Sequence, residues 1–167
     1  IYHERVIDFA AMTNLSKALR TRLQETAEIR PPEVDLDQLA ADGTRKWLLR
    51  LPGEVQGERP HEVECVYIPD TERGTLCVSS QVGCALACDF CLTGRMGLRR
   101  HLAAGEIAGQ VALIAGEHGL AERPYNVVFM GMGEPLHNYD GVVAAVRLLA
   151  DPDGFGLSRK RITVSTS

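Results

Sequence analysis

Apolar positions along the chain fall into two regimes that change near residue 70. In the first, Leu15, Leu19 and Leu23 recur every four residues, the spacing of one face of an α-helix. Residues 1 to about 30 therefore read as helical, with Thr13 or Asn14 as the N-cap and Pro31-Pro32 as the stop. Two strand-like runs follow, Lys46–Leu51 and Glu62–Ile68, separated by a polar stretch rich in Gly and Pro. In the second regime strands and helices alternate. Thr75–Ser80, Asn126–Met130 and Arg161–Ser165 read as strands, and Ala103–His118 and Asp140–Leu149 as amphipathic helices. Such alternation predicts an α/β fold with parallel strands, its functional loops at the C-terminal strand ends. The expected organisation is a small α+β accessory domain over residues 1–69, then an incomplete (βα) barrel portion over 70–167.

Composition changes this picture little. The chain has 167 residues, 45% hydrophobic and 24% charged, as in ordinary globular proteins. No apolar run approaches the roughly 20 residues that span a membrane, and no repeat or low-complexity tract is present. The net charge of −4 gives no global attraction for nucleic acid. Local basic clusters exist at Arg95, Arg99, Arg100 and His101, and at Arg159, Lys160 and Arg161. Each reads equally as solvated surface or as a phosphate contact. The chain opens on Ile1 and stops inside a strand-like run, so it is expected to be a piece of a longer protein, inactive by itself.

Cysteine placement carries the chemistry. Of five cysteines, Cys77, Cys84, Cys88 and Cys91 lie within one short segment, a distribution that points to metal or redox chemistry rather than a disulfide framework. Cys84, Cys88 and Cys91 form C-x3-C-x2-C. Three thiolates hold three irons of a 4Fe–4S cubane and leave the fourth open to a ligand, whereas electron-transfer cubanes use four cysteines. A structural zinc site is the alternative, with Cys77 or His101 as fourth ligand, although no second C-x2–4-C pair exists. Phe90 would set a ring beside the cofactor, or simply pack. Downstream, Gly131-Met132-Gly133-Glu134-Pro135 closes a strand-like run. Its glycines permit close backbone approach, and Glu134 suits a ligand ammonium group. Without a ligand, the same residues make a tight strand-to-helix turn. Ser165, near the end of the last strand, could reach the same ligand or be satisfied by backbone.

The C-x3-C-x2-C run resembles the signature of the radical S-adenosylmethionine superfamily. Within it, Arg73–Cys88, Phe129–Pro135 and Gly154–Ser158 resemble the dual-specificity adenine-C2 methyltransferases of 23S ribosomal RNA and transfer RNA. So do Met12-Thr13, Ala27–Arg30 and Val66–Pro69, which carries the similarity over nearly the whole chain. The resemblance implies a 4Fe–4S cluster on Cys84, Cys88 and Cys91, and S-adenosylmethionine held by Gly133, Glu134 and Ser165. Reductive cleavage of that cofactor would give a 5′-deoxyadenosyl radical, which takes hydrogen from a methylated cysteine outside this chain. The carbon radical then adds to adenine C2. Glu64 matches the family's proton acceptor, and Cys77 the cysteine that forms a transient disulfide with the methyl-carrying one. Read from the residues alone, Glu64 is an ordinary outward strand Glu and Cys77 a buried strand thiol. A cytoplasmic monomer served by a flavodoxin-type electron donor is further implied. The nearest relative activity methylates adenine C8 instead.

Overall fold

The computed structural model describes residues 2, 6–51, 60–117 and 124–167. Six strands form one mixed sheet in the order β1-β2-β3-β4-β7-β8. β1 (Glu33–Leu39), β2 (Arg45–Leu51), β3 (His61–Ile68) and β4 (Gly74–Cys77) pair antiparallel, and β7 (Tyr125–Phe129) and β8 (Ile162–Val164) continue the sheet in parallel. Val66 lies opposite Cys77, so the sheet runs without a break across residues 69 and 70. A two-stranded ladder, β5 (Gln81–Val82) with β6 (Arg100–His101), branches off after β4.

Helix α3 (Ala104–Glu117) links β4 to β7 by way of that ladder, and α4 (Tyr139–Ala150) links β7 to β8. Their apolar positions Ile107, Val111, Ile114, Val142, Ala145 and Leu149 are buried against one sheet face. Strand alternation supplies the matching surface from Trp47, Leu49, Val63, Cys65, Leu76, Val127 and Phe129, all in one core cluster. Glu64, Val66 and Cys77 alternate with these core residues and occupy the face opposite the core. At the start of α3, Glu106 reaches back to the Ala103 N–H at 2.9 Å, half of a capping box. Among the described residues, no helix is long and apolar enough to cross a membrane.

The α/β character and the parallel strands agree with the pattern expected from sequence, and most predicted elements recur within a residue or two. The N-terminal stretch differs. Its helix, α1 (Lys17–Thr26), starts later than expected because Ser16 is the N-cap, its hydroxyl accepting from the Leu19 N–H at 3.3 Å. A 3-10 turn, Phe9–Ala11, precedes it, and Ala27 turns extended well before the prolines. β1 has no counterpart among the expected strands. It is exposed along its whole length, an edge strand whose Asp35 and Asp37 pair with Arg50 and Arg45 of β2.

Candidate functional site

Three loops meet at the C-terminal edge of the parallel strands. The first follows β4. Val78 and Ser80 are drawn toward the glycine loop, the Ser80 N–H donating to the Met132 carbonyl at 2.9 Å and the Gly131 N–H to the Val78 carbonyl at 3.1 Å. Gln110 of α3 braces the same segment with a fully buried amide. It accepts from the Ser79 N–H and donates to the Ser79 carbonyl, both at 2.9 Å. The Ser79 hydroxyl donates to the Glu64 carbonyl at 2.7 Å and accepts from the Met132 N–H at 2.9 Å. One hydroxyl thus ties β3, the β4 exit and the glycine loop together.

The cysteine loop spans the β5–β6 ladder. Gly83 lies at φ +77°, and a Cβ there would stand 1.9 Å from the Gly97 carbonyl oxygen, so only glycine lets the two ends of the loop close. Cys84 is buried, Cys88 and Cys91 are half-buried, and all five thiols of the chain are free. Ala87, at φ 49°, bends the backbone between the first two cysteines. Cys91 opens the short helix α2 (Leu92–Met96), whose Gly94 lies against the backbone of Ala87 and Cys88. No three His, Cys, Asp or Glu side chains among the described residues converge on a single ion position. A cubane asks for something else, one thiolate on each of three separate irons. Phe90, between the second and third cysteines, is 93% exposed and packs on nothing in the core.

The second loop follows β7. Gly133 lies at φ +101°, with Gln81 so close that any Cβ would meet that side chain at 2.6 Å. Glu134 is buried, and its carboxylate accepts from the Leu136 N–H at 2.9 Å and the Ser167 N–H at 3.1 Å. Burial pushes this carboxyl up. The donors Leu136, Thr166 and Ser167 and the charge of His137 outweigh burial and hold it below the ordinary carboxylate range. It is therefore an anion at neutral pH. Ser165, in the third loop, is exposed just beyond β8 and belongs to the same edge. An apolar groove of about 920 Å³ between α4 and β8 is lined by Pro135, Leu136 and Val164, the chain neighbours of Glu134 and Ser165, and includes none of the cysteines.

A match to the Radical SAM superfamily covers residues 78–167, the stretch from the β4 exit through all three loops. The chain belongs to the radical SAM superfamily. A second match, to the ribosomal RNA large subunit methyltransferase N-terminal domain, covers residues 1–29. Among radical SAM relatives, the dual-specificity RNA methyltransferase RlmN of Azorhizobium caulinodans is 54% identical over an alignment of 183 positions, covering 100% of this chain and 45% of that protein. Its counterpart from Rhodopseudomonas palustris is 53% identical, again over 100% of this chain and 44% of the relative. The crystal structure of a radical SAM methyltransferase from Sphaerobacter thermophilus superposes with a TM-score of 0.84 at 41% identity, over 99% of this chain and 48% of that one. The chain thus spans a little under half the length of the relatives it matches.

The radical SAM site residues expected from sequence do not all lie together. The cysteine loop, Gly133, Glu134 and Ser165 share the strand-end edge. Glu64 and Cys77 lie on the sheet face opposite the core, diagonal to each other across β3 and β4, a placement of about 7–8 Å between Cα atoms. Glu64 pairs with Lys46 at 3.0 Å and is half exposed. Sequence reasoning missed Ser79, Gln81, Gln110 and Asn138, the polar residues that tie the loops together. Asn138 donates from its amide to the Ser80 and Leu102 carbonyls, each at 2.8 Å. Their one signal was polar side chains inside apolar runs, such as Ser79-Ser80-Gln81 between Val78 and Val82.

Burial pushes the Cys77 thiol up from its ordinary range, and a hydrogen bond with the Met130 backbone only partly offsets it. The thiol form is consequently retained at neutral pH. Iodoacetamide should label Cys77 slowly at pH 7.5, and labelling should accelerate only as pH rises beyond the range in which an exposed thiol already reacts. Mass spectrometry of the Cys77 peptide over a pH series reads this directly. A midpoint at or below that of a free cysteine contradicts it.

Proposed function

We propose that this chain carries the cluster and cofactor site of an RNA methyltransferase that modifies adenine C2 in 23S ribosomal RNA and transfer RNA. The carrying observation is the shared strand-end edge, where a three-thiol loop stands beside a buried anionic carboxylate on a glycine turn. The residues present suit the groups. The donor set is three unpaired thiols with no fourth cysteine in the loop. Gly131 and Gly133 keep the neighbouring backbone free of side chains where a Cβ would clash. Ser80 adds a buried hydroxyl that has no hydrogen-bond partner among the described residues.

Cys84, Cys88 and Cys91 would hold a 4Fe–4S cluster. Gly133, Glu134 and Ser165 would bind S-adenosylmethionine, the Glu134 anion matching its ammonium group. Bound together, these groups supply the radical that activates a carbon electrophilic transfer cannot reach. Glu64 accepts a proton from the substrate, held in place by Lys46. Cys77, on the same face, would release the product: its sulfur bonds to the sulfur of the methyl-carrying cysteine outside residues 1–167 as that sulfur's bond to the transferred carbon breaks, and the carbon takes up a proton to become the methyl group. The similarity to the RlmN proteins of Azorhizobium and Rhodopseudomonas supports the RNA substrate. A cytoplasmic monomer with a flavodoxin-type donor fits this chemistry.

Loss of the gene should remove 2-methyladenosine from ribosomal and transfer RNA, and the full-length protein should restore it. Cys77→Ala and Glu64→Gln variants should not, since a missing proton acceptor alone costs about 100- to 10,000-fold. Unchanged adenosine modification by nucleoside mass spectrometry in the deletion strain refutes the assignment; methylation at C8 redirects it.

RNA contact draws on fewer cations than the sequence suggests. Arg100 is committed to Glu106 by two hydrogen bonds of 2.8 and 2.7 Å, both partners largely buried. Its expected part in phosphate binding is therefore unsupported. Arg95 and Arg99 are exposed, as are Arg159 and Lys160. An Arg95→Ala/Arg99→Ala double variant should bind RNA more weakly and lower the slope of log affinity against log salt by about 1–2. An unchanged slope removes this face from the interface.

A further inference from the structure

Gln81 is fully buried directly beneath the glycine loop, and its two amide ends meet different partners. The side-chain oxygen accepts from the Glu134 N–H at 2.7 Å. The nitrogen lies 2.8 Å from Nδ1 of His101, its neighbour across the β5–β6 ladder. The Gln81 backbone N–H also donates to the Met132 carbonyl at 3.2 Å.

These contacts fix one arrangement. A backbone N–H only donates, so the amide oxygen must face Glu134. The amide NH2 then faces His101 and can only donate, so Nδ1 accepts and the ring proton sits on Nε2. Turning the amide over would set two donors against each other at Glu134 and two acceptors against each other at His101. Gly133 explains why such a hold is needed. At φ +101° and without a Cβ, its own backbone resists rotation least of any residue type, so the peptide joining it to Glu134 must be held from outside.

We infer that Gln81 is the positioning residue of the S-adenosylmethionine loop, its amide locked by His101 so that Glu134 is presented to the cofactor in one orientation. The inference rests on the reading of Gly133 and Glu134 as cofactor contacts. It also explains how the two loops keep register, because Gln81 begins the hairpin that carries the cysteines.

The test uses the full-length protein with Gln81→Met, His101→Phe and His101→Asn variants. Hydrogen exchange of residues 131–135 is followed without cluster or cofactor, and S-adenosylmethionine affinity is then measured by equilibrium dialysis of the cluster-loaded protein. Losing one buried hydrogen bond, about 1.4 kcal/mol, corresponds to roughly tenfold. Gln81→Met should speed exchange at 131–135 and weaken cofactor affinity by about that factor. The maximal rate at saturating cofactor should change far less. His101→Phe should give a smaller shift of the same kind. His101→Asn, whose side-chain oxygen replaces Nδ1 as acceptor, should restore both readouts. Unchanged exchange in Gln81→Met overturns the clamp, and faster exchange with unchanged affinity overturns its positioning role. Unaltered affinity in Glu134→Gln would instead refute the cofactor reading of the loop, whatever the exchange data show.

Discussion

Replacing Cys84, Cys88 or Cys91 singly by Ala in the full-length protein is expected to abolish cluster binding and, with it, reductive cleavage of S-adenosylmethionine. Each thiolate serves one iron, so any deletion leaves two irons without protein ligands and nothing nearby to replace the loss. The other two cysteines are poor substitutes. Cys65 faces the core from β3, its thiol pushed far up by burial, and Cys77 sits on β4 with its thiol also raised. Iron content after anaerobic reconstitution should fall from about four per chain to below about one. Cys65→Ala should keep its iron. Full iron loading of a Cys88→Ala variant would remove that residue from the ligand set.

The second large effect is expected at Gly133. An Ala there must adopt φ +101° and place its Cβ 2.6 Å from the Gln81 Cβ and 2.8 Å from the Gln81 backbone nitrogen. Backbone strain of about 1–3 kcal/mol adds to overpacking of about 1–3 kcal/mol. Gln81 is fully buried and pinned at both ends, so the strain is relieved by displacing the glycine loop. Affinity for S-adenosylmethionine should drop at least ~100-fold, equivalent to about 2.8 kcal/mol. Gly105→Ala is the control, because a Cβ there meets nothing within 4 Å and α3 gains helix propensity. Near-normal binding by Gly133→Ala would show that the loop does not need this conformation.

Elements with strong periodicity were legible in the sequence. β2, β3, α3, α4 and β7 each bury one stripe or one alternate set of side chains, and a buried stripe must be apolar. Elements fixed by other means were not. β1 buries nothing, so its alternation has no apolar face to announce it. α2 and the β5–β6 ladder are too short for periodicity and exist because the cysteine loop closes on Gly83 and Gly97. The start of α1 could not be chosen among Thr13, Asn14 and Ser16 by residue type, since all three suit an N-cap.

The site divides in the same way. Cys84, Cys88, Cys91, Gly133 and Glu134 lie in compact motifs whose spacing is itself chemical information. The polar braces are not local in sequence. Gln81 meets Glu134 across 53 residues and Asn138 meets Ser80 across 58, so neither contact leaves a local pattern. Arg100 looked like a member of a basic cluster because nothing in composition shows that Glu106 neutralises it. Glu64 and Cys77 were nominated by resemblance alone, and their common sheet face became visible only once β3 and β4 were paired.

Mössbauer spectroscopy of the full-length protein, reconstituted anaerobically with iron-57 and sulfide, bears most directly on the three-thiolate site. About four irons per chain should be present, and adding S-adenosylmethionine should shift the signal of one iron away from the other three. Bound zinc in place of iron, or a spectrum in which no single iron responds to the added cofactor, would contradict the account.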